Sequence, residues 1–364
     1  MECLGMNKVL HISKGFPPTN GGIENATRSF AMAAIEIGCD TRVLCYGDTS
    51  CNKVWNGVQI KEIAPLFKFL GQPLSFKFIL EGLICGLKSD CVHLHVPDYS
   101  SHLIGIFIKL FQPNKTIFLH WHADVMAKGW LGSKLRFIEL ILASKAKFVI
   151  FGSPDYFHHS YLKGKFDEKI KIIEYPVSIN FEYSNLVKER NNEMIHLLSV
   201  GRLVEYKGFE QLISMLISNL RLKLIIVGSG PLKLKLDGLV NLLDLKSRVL
   251  ILEGLSEKEL WQEYANADIF ILNSQSRAES FGIVLVEALS QGLKLLTRKV
   301  SGSGMNFVNN NHEFGTIYED FNNIESLAIN LLHNGKSRID VSEYGLNRFG
   351  FKQFLEKVRN MYEV

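Results

Sequence analysis

The feature that most limits what this chain can fold into is a sustained alternation. Short runs of Val, Ile, Leu and Phe are each followed by a stretch with the 3.6-residue period of a helix. In the first half the runs are KVLHIS, TRVLCYG, CVHLHVP, TIFLHWH and KFVIFGS. In the second they are IHLLSVGRL, LKLIIVGSG, RVLILEG, DIFILNS and LKLLTRK. Helical patterns such as IENATRSFAMAAIEIG and LRFIELILASKA lie between them. Most runs are apolar on both faces, as parallel strands covered by helices on each side must be. Strand–helix alternation implies right-handed β-α-β units, and so an α/β protein with two doubly wound parallel sheets.

A chain of 364 residues is too long for one ordinary core, and two domains of roughly 150–200 residues are expected. The pattern lapses around Pro176, and a polar run from Lys188 to Glu193 precedes the next strand. We place the division at 178: a first domain over 1–178, a second over 179–341, and a closing segment, 342–364. That last segment reads as helical and is a candidate to pack back across the first domain. Ligands of open parallel sheets bind outside the carboxyl ends of the strands, so the site is expected in a cleft between the two domains.

Several classes are excluded early. Forty-one basic residues against 37 acidic ones leave a net charge of +4, too weak for the concentrated basic face of a nucleic-acid binder. No apolar run is long enough to span a bilayer. The start, MECLGMNKVLHIS, lacks the zones of a signal peptide, which points to a cytoplasmic protein. Six cysteines fall in the first quarter without a C-x-x-C pair, and free thiols in a reducing compartment are expected.

The candidate chemistry starts at AESFGIVLVEALSQG, residues 278–292. From Ile283 and Val284 onward the segment is apolar nearly all round, the mark of a buried helix. Gly282 ahead of it would let a ligand approach the backbone, and the free N–H groups of the first turn favour an anion such as phosphate. Glu279 precedes that turn and Glu287 follows it by about two turns. Both side chains could reach a ligand with hydroxyls on either side of a diphosphate, as in a nucleotide sugar, with Glu279 on the sugar and Glu287 on the ribose. The spacing alone equally allows an exposed loop acid and a helix-surface acid.

Cations are supplied by GRLVEYKGFEQL, residues 201–212. Arg202 and Lys207 sit between a strand and a helix, where an Arg fork and a Lys point charge could stabilise a departing nucleoside diphosphate. Gly21 and Gly22 occupy a strand-to-helix turn of the first half, the place where a phosphate meets a βα loop. Gly228 and Gly230, in GSGP, follow another strand. Either glycine pair alone could be a simple turn.

In this order the segments resemble the retaining glycosyltransferases of the GT-B fold, family 4: a glycine loop after the first strand, GR…KG, VGSGP, and Glu279 with Glu287 seven residues between. The resemblance covers most of the chain. It implies two Rossmann-like domains facing a cleft, sugar and ribose contacts for the two glutamates, and no metal or other cofactor. It also implies a catalytic-face histidine after a strand of the first domain. TIFLHWHADV fits, with His122 the counterpart, Asp124 a nearby substrate-binding acid, and His120 and His95 less certain. WHAD is similar to the W-H-S-D of bacterial polysaccharide glycosyltransferases, with Ala123 in place of Ser. Tyr206 and Asn306 depart from the pattern, each standing where Glu is common.

The expected reaction moves a sugar from a nucleotide diphosphate sugar to an acceptor hydroxyl with retention, by front-face attack. Arg202, Lys207 and the helix end take the leaving-group charge while Glu279 orients the sugar. FKFLGQPLSFKFILEGLICGLK, residues 67–88, mixes apolar residues with Lys68, Lys77 and Lys88. It reads either as a core helix with solvated lysines or as a stretch lying peripherally on the inner membrane face, beside a lipid-linked glycan acceptor of O-antigen or capsule synthesis. A nucleotide-sugar epimerase and a non-catalytic nucleotide-sugar binding protein are the alternatives.

Overall fold

The computed structural model describes residues 7–17, 21–69, 72–124, 129–177 and 194–363. The division expected at 178 and the polar run 188–193 lie outside them. The chain separates into two compact units, Met1–Tyr175 with Phe351–Val364, and Pro176–Gly350.

Elements of the first unit, in order, are β1 (Lys8–Ser13), α1 (Gly22–Ile37), β2 (Asp40–Tyr46), β3 (Cys51–Trp55), β4 (Val58–Ile63), β5 (Phe67–Phe69), β6 (Gln72–Leu74) and α2 (Phe76–Lys88). There follow β7 (Cys91–Val96), α3 (Tyr99–Phe111), β8 (Thr116–Trp121), α4 (Gly129–Lys145), β9 (Phe148–Phe151), α5 (Pro154–His158) and β10 (Ile170–Ile172). The second unit holds β11 (Ile195–Val200), α6 (Phe209–Met215), β12 (Leu222–Val227), α7 (Lys233–Leu242), β13 (Val249–Leu252), α8 (Glu257–Asn266) and β14 (Ile269–Leu272). It continues with α9 (Ile283–Ser290), β15 (Lys294–Arg298), α10 (Met305–Val308), β16 (Gly315–Tyr318), α11 (Ile324–Leu332) and α12 (Arg338–Phe349), before α13 (Phe351–Glu363) returns to the first unit.

The first sheet has eight strands in the order β10-β9-β8-β7-β1-β2-β4-β3, parallel except for β3 against β4. Chain order reverses on either side of β1, the kind of switch point outside which doubly wound sheets bind ligands. One face is aliphatic: Leu10, Leu94 and Leu119 pack on Phe78 of α2, Ile104 and Ile108 of α3 and Leu142 of α4. The opposite face carries histidines from β1, β7 and β8, covered by Phe30 of α1 and Tyr362 of α13. The second sheet is fully parallel, β13-β12-β11-β14-β15-β16, with its core built from Leu197, Leu224, Ile226, Ile269 and Ile271.

Two local details are added. The closing segment is helical and is made of two helices. α12 starts at a Ser337–Asp340 capping box and packs on α9. The Arg338 guanidinium fastens it by donating to the carbonyls of Tyr264, Ala265, Ala267 and Gln291. After Gly350 the chain turns, and only α13 packs on α1. Likewise 67–88 is no single helix: Pro73 sits in a short β5–β6 hairpin, and α2 begins only after the Ser75 cap, whose hydroxyl accepts from the Phe78 amide. Among the described residues Cys39, Cys45, Cys51, Cys85 and Cys91 are free thiols, and no helix is long and apolar enough to cross a membrane.

Candidate active site

Three loops leave the carboxyl ends of the adjacent strands β12, β11 and β14. Two lie backbone to backbone. The Gly201 amide donates to Val227 O at 2.9 Å, Leu203 N to Ser229 O at 2.8 Å, and Leu232 N to Leu203 O at 3.1 Å. This closeness explains the glycines of GSGP. A Cβ on Gly228 would run into the Gly201 carbonyl, and one on Gly230 would stand 2.6 Å from Leu203 O. Gly228 and Gly230 thus fit these two loops together and set the backbone beside Arg202.

Lys207 closes a 3-10 turn, Glu205–Lys207, that ends on Gly208. The turn is tied to the segment after β14: Asn273 Nδ2 donates to Gly208 O at 2.8 Å and Gln275 N to Tyr206 O at 2.7 Å, while Tyr318 Oη donates to Asn273 Oδ1 at 2.9 Å. Lys207 is buried, and its ammonium is paired with the Glu279 carboxylate. Burial, the largest single influence, pulls the Lys207 ammonium down, but Glu279 and Tyr206 together outweigh it and hold it above its ordinary value. The lysine is therefore charged at neutral pH.

Glu279 Oε2 also accepts from Ser274 Oγ at 3.0 Å; its Oε1 has no partner among the described residues. Arg202 is exposed, and among the described residues its guanidinium has no hydrogen-bond or ion-pair partner. The Tyr206 hydroxyl reports how near these groups lie. Burial raises it first; Lys207 then lowers it, Glu279 raises it and Arg202 lowers it. Tyr206, which departs from the family pattern, lies 5.6 Å from the Lys207 ammonium, measured to its ring centre. An aromatic face there supports a cation.

Helix α9 begins at Gly282, whose φ of 85° is a left-handed conformation that favours glycine. Ile283 and Val284 are half-buried and the remainder of the helix is buried. Among the described residues the Ile283 and Val284 amides donate to nothing, so two N–H groups stand free at the positive end of the helix dipole. The approach is fixed by Ser303 Oγ, which donates to Glu279 O at 2.6 Å. Glu287 is buried and accepts from Tyr264 Oη of α8 at 2.8 Å. Neither glutamate is an ordinary surface acid.

In the first unit, Gly21 and Gly22 form the turn into α1, but the side chain leaning over Gly21 is the Glu24 carboxylate. An acid there is no phosphate ligand. Asp124 is buried; its Oδ1 accepts from Trp121 Nε1 at 2.9 Å and Ser160 Oγ at 2.7 Å, and its amide donates to Tyr156 Oη at 2.7 Å. That carboxylate oxygen holds the loop after β8. His122 is buried with both ring nitrogens engaged: Nδ1 is 2.9 Å from Tyr175 Oη and Nε2 is 2.9 Å from His95 Nδ1. Burial lowers its pKa to about 3. Sequence reasoning missed Tyr175, which contacts His122, and His11 and His93, which belong to the same layer of rings. A histidine at every second position of VHLHV and FLHWH was the available signal, because period two puts such residues on one face. Among the described residues no group of three or more His, Cys, Asp or Glu is placed to hold a metal ion.

Two parallel sheets, with loops, cations and a helix end gathered at the carboxyl edge of one of them, define the GT-B class of nucleotide-sugar-dependent glycosyltransferases. The family model for glycosyl transferases group 1 matches residues 184–348 of the chain. The chain is similar to an uncharacterized glycosyltransferase, MJ1607, of Methanocaldococcus jannaschii, at 23% identity over 96% of this chain and 91% of that one. It is similar to the D-rhamnosyltransferase WbpZ of Pseudomonas aeruginosa, at 22% identity over 85% of this chain and 82% of the other. Among solved structures, Anabaena Alr3699/HepE in complex with UDP and glucose superposes with a TM-score of 0.77 at 16% identity, over 98% of this chain and 99% of that one.

Proposed function

We propose that the enzyme transfers a hexose-type sugar from a nucleoside diphosphate to an acceptor hydroxyl with retention of anomeric configuration. The observation that carries this is the pairing of a charged, buried Lys207 with Glu279, the carboxylate that precedes the first turn of α9, with Arg202 exposed on the same β11–α6 loop as Lys207 and without a hydrogen-bond or ion-pair partner among the described residues. Charge that develops on a departing diphosphate is stabilised best by donors already in place in a site of low polarity. Arg202, Lys207 and the Ile283 and Val284 amides are such donors. The open Oε1 of Glu279 accepts from a sugar hydroxyl, and Glu287 accepts from the ribose. Retention and front-face attack are what the family resemblance implies.

We further propose that the acceptor is a lipid-linked glycan of surface polysaccharide synthesis, met at an anionic membrane surface. Helices α2, α3 and α4 pack side by side and expose apolar stripes: Phe76, Leu80 and Ile84; Leu103, Phe107 and Phe111; Phe137 and Ile141. Exposed Lys68, Lys77, Lys88 and Lys145 accompany them. Apolar residues flanked by lysines match the acyl boundary and the phosphates of an anionic bilayer.

A panel of UDP-, GDP- and ADP-sugars tests the donor half. One nucleotide series should raise the melting temperature of the wild type, since a ligand of the folded form stabilises it, and should lose most of that shift in R202A and K207A. Equal shifts in all three proteins would refute the site. Product analysis separates transfer from epimerisation: a transferase releases nucleoside diphosphate only when acceptor is present, whereas an epimerase changes the donor sugar without releasing it.

A further inference from the structure

Five histidines, His11, His93, His95, His120 and His122, form one buried layer on the α1 side of the first sheet. They come from the neighbouring strands β1 and β7 and from β8 and the residue after it. The His95 and His120 rings stack with centres 4.3 Å apart, and those of His95 and His122 with centres 5.2 Å apart. Burial pulls every ring below the usual imidazole value, to about 3 for His11 and His122. Each ring is therefore neutral, with one N–H and one bare nitrogen.

Two hydrogen-bonded chains thread the layer. In the first, Tyr175 Oη lies 2.9 Å from His122 Nδ1, His122 Nε2 lies 2.9 Å from His95 Nδ1, and His95 Nε2 lies 3.3 Å from His11 Nδ1. In the second, Tyr362 Oη lies 2.9 Å from His93 Nε2, and His93 Nδ1 lies 2.7 Å from His120 Nε2. The far ends, His11 Nε2 and His120 Nδ1, have no partner among the described residues. A neutral imidazole that accepts at one nitrogen must donate at the other, so a polarity set at one end passes down the chain. The tyrosines set it. A phenol (pKa about 10) is the better donor and an imidazole (about 6.5) the better acceptor.

We propose that Tyr175 fixes His122, His95 and His11 as a run of Nε2–H tautomers, so that His122 presents Nδ1 as an acceptor at the carboxyl end of β8, where a substrate hydroxyl replaces the Tyr175 hydroxyl during turnover. By the same rule His93 and His120 are Nδ1–H tautomers. His95 and His11 are positioning residues, acting only through His122. The kinetic consequence rests on the transferase reading above; the tautomer assignment does not.

Histidine-labelled full-length protein tests both. Long-range proton–nitrogen spectra near neutral pH should show, for the five rings of the layer among the eleven histidines, three Nε2–H and two Nδ1–H tautomers. Y175F, which removes one oxygen, should drive His122, His95 and His11 toward mixed tautomers and leave His93 and His120 as they are; Y362F should do the reverse. In transfer assays Y175F and H95F should lower kcat at least about tenfold, as a misplaced catalytic proton does, with donor KM held within about twofold. Y362F should leave kcat alone. Mixed or Nδ1–H signals in the first chain of the wild type, or no change in Y175F, would overturn the relay whether or not any sugar is transferred. Shifted tautomers in Y175F with unchanged kcat would remove the positioning role, and H95F breaks the same chain independently from its other side.

Discussion

Lys207 and Glu279 lie 72 residues apart in the sequence and form one largely buried ion pair, with Ser274 as a second donor to the same carboxylate oxygen. A pair of this kind is worth little as a net source of stability, yet breaking it from one side is costly, because the remaining charge stays buried. Its value here is placement. It holds an ammonium and a carboxylate in fixed positions, on the loop after β11 and on the segment that leads into α9, before any substrate arrives.

Replacing Lys207 with Ala should lower kcat by about 10²–10³, the usual cost of removing one charge-stabilising donor, and should lower the melting temperature as well. Adding Glu279→Ala to that variant should restore part of the lost stability without restoring transfer. Thermal melts and steady-state kinetics on the three proteins check this. Fully additive losses of stability would mean that the two side chains are not coupled.

Two glycines that follow strands, Gly228 and Gly22, should respond oppositely to the same change. Gly228→Ala drives a methyl group into the Gly201 carbonyl and should cost about 2 kcal/mol or more. A Cβ on Gly22 meets nothing within 4 Å, so Gly22→Ala should be neutral or slightly stabilising. Urea denaturation of the two variants measures both values.

The histidine layer makes the first unit sensitive to acid. Each of the five rings has a folded-state pKa below its unfolded value of 6.5, through burial. The unfolded chain therefore binds more protons, and the stability present above pH 6.5 is lost as pH falls toward the folded values. For His11 and His122, lowered to about 3, the loss at pH 5 is about 2 kcal/mol per ring, at about 1.36 kcal/mol per pH unit. The other three rings act in the same direction. Urea midpoints between pH 7.5 and 5 should drop steeply, and the drop should shrink in H93F. A flat profile would mean that water or a rearrangement relieves the buried rings.

Vesicle binding tests the exposed face of α2–α4. Flotation with anionic vesicles should recover the protein at low salt and fall off as salt is raised, because the lysine contribution is screened. Leu80→Asp with Phe107→Asp should abolish recovery while leaving transfer to a soluble acceptor unchanged. Recovery indifferent to both salt and the two aspartates would rule out this surface.

Much of this was legible in the sequence. Runs such as LKLIIVG and DIFILNS, apolar on both faces, could only be buried parallel strands, and the helices between them left two doubly wound sheets as the architecture. Gly282 before an all-apolar helix marked a free helix end, and Arg202, Lys207, Glu279 and Glu287 could be read off in order. These properties depend on neighbours within a turn or two, which is the range over which periodicity and turn chemistry speak. The pairing of Lys207 with Glu279, the tie from Tyr264 to Glu287, the commitment of Asp124 to Trp121 and Ser160, and the stacking of histidines from three separate strands were decided only by the tertiary fold. Parallel strands take their sheet neighbours from segments separated by a whole crossover helix. Which distant side chains share a buried, poorly screened space therefore depends on strand order and register, and it is that shared space which fixes their charges and their protons.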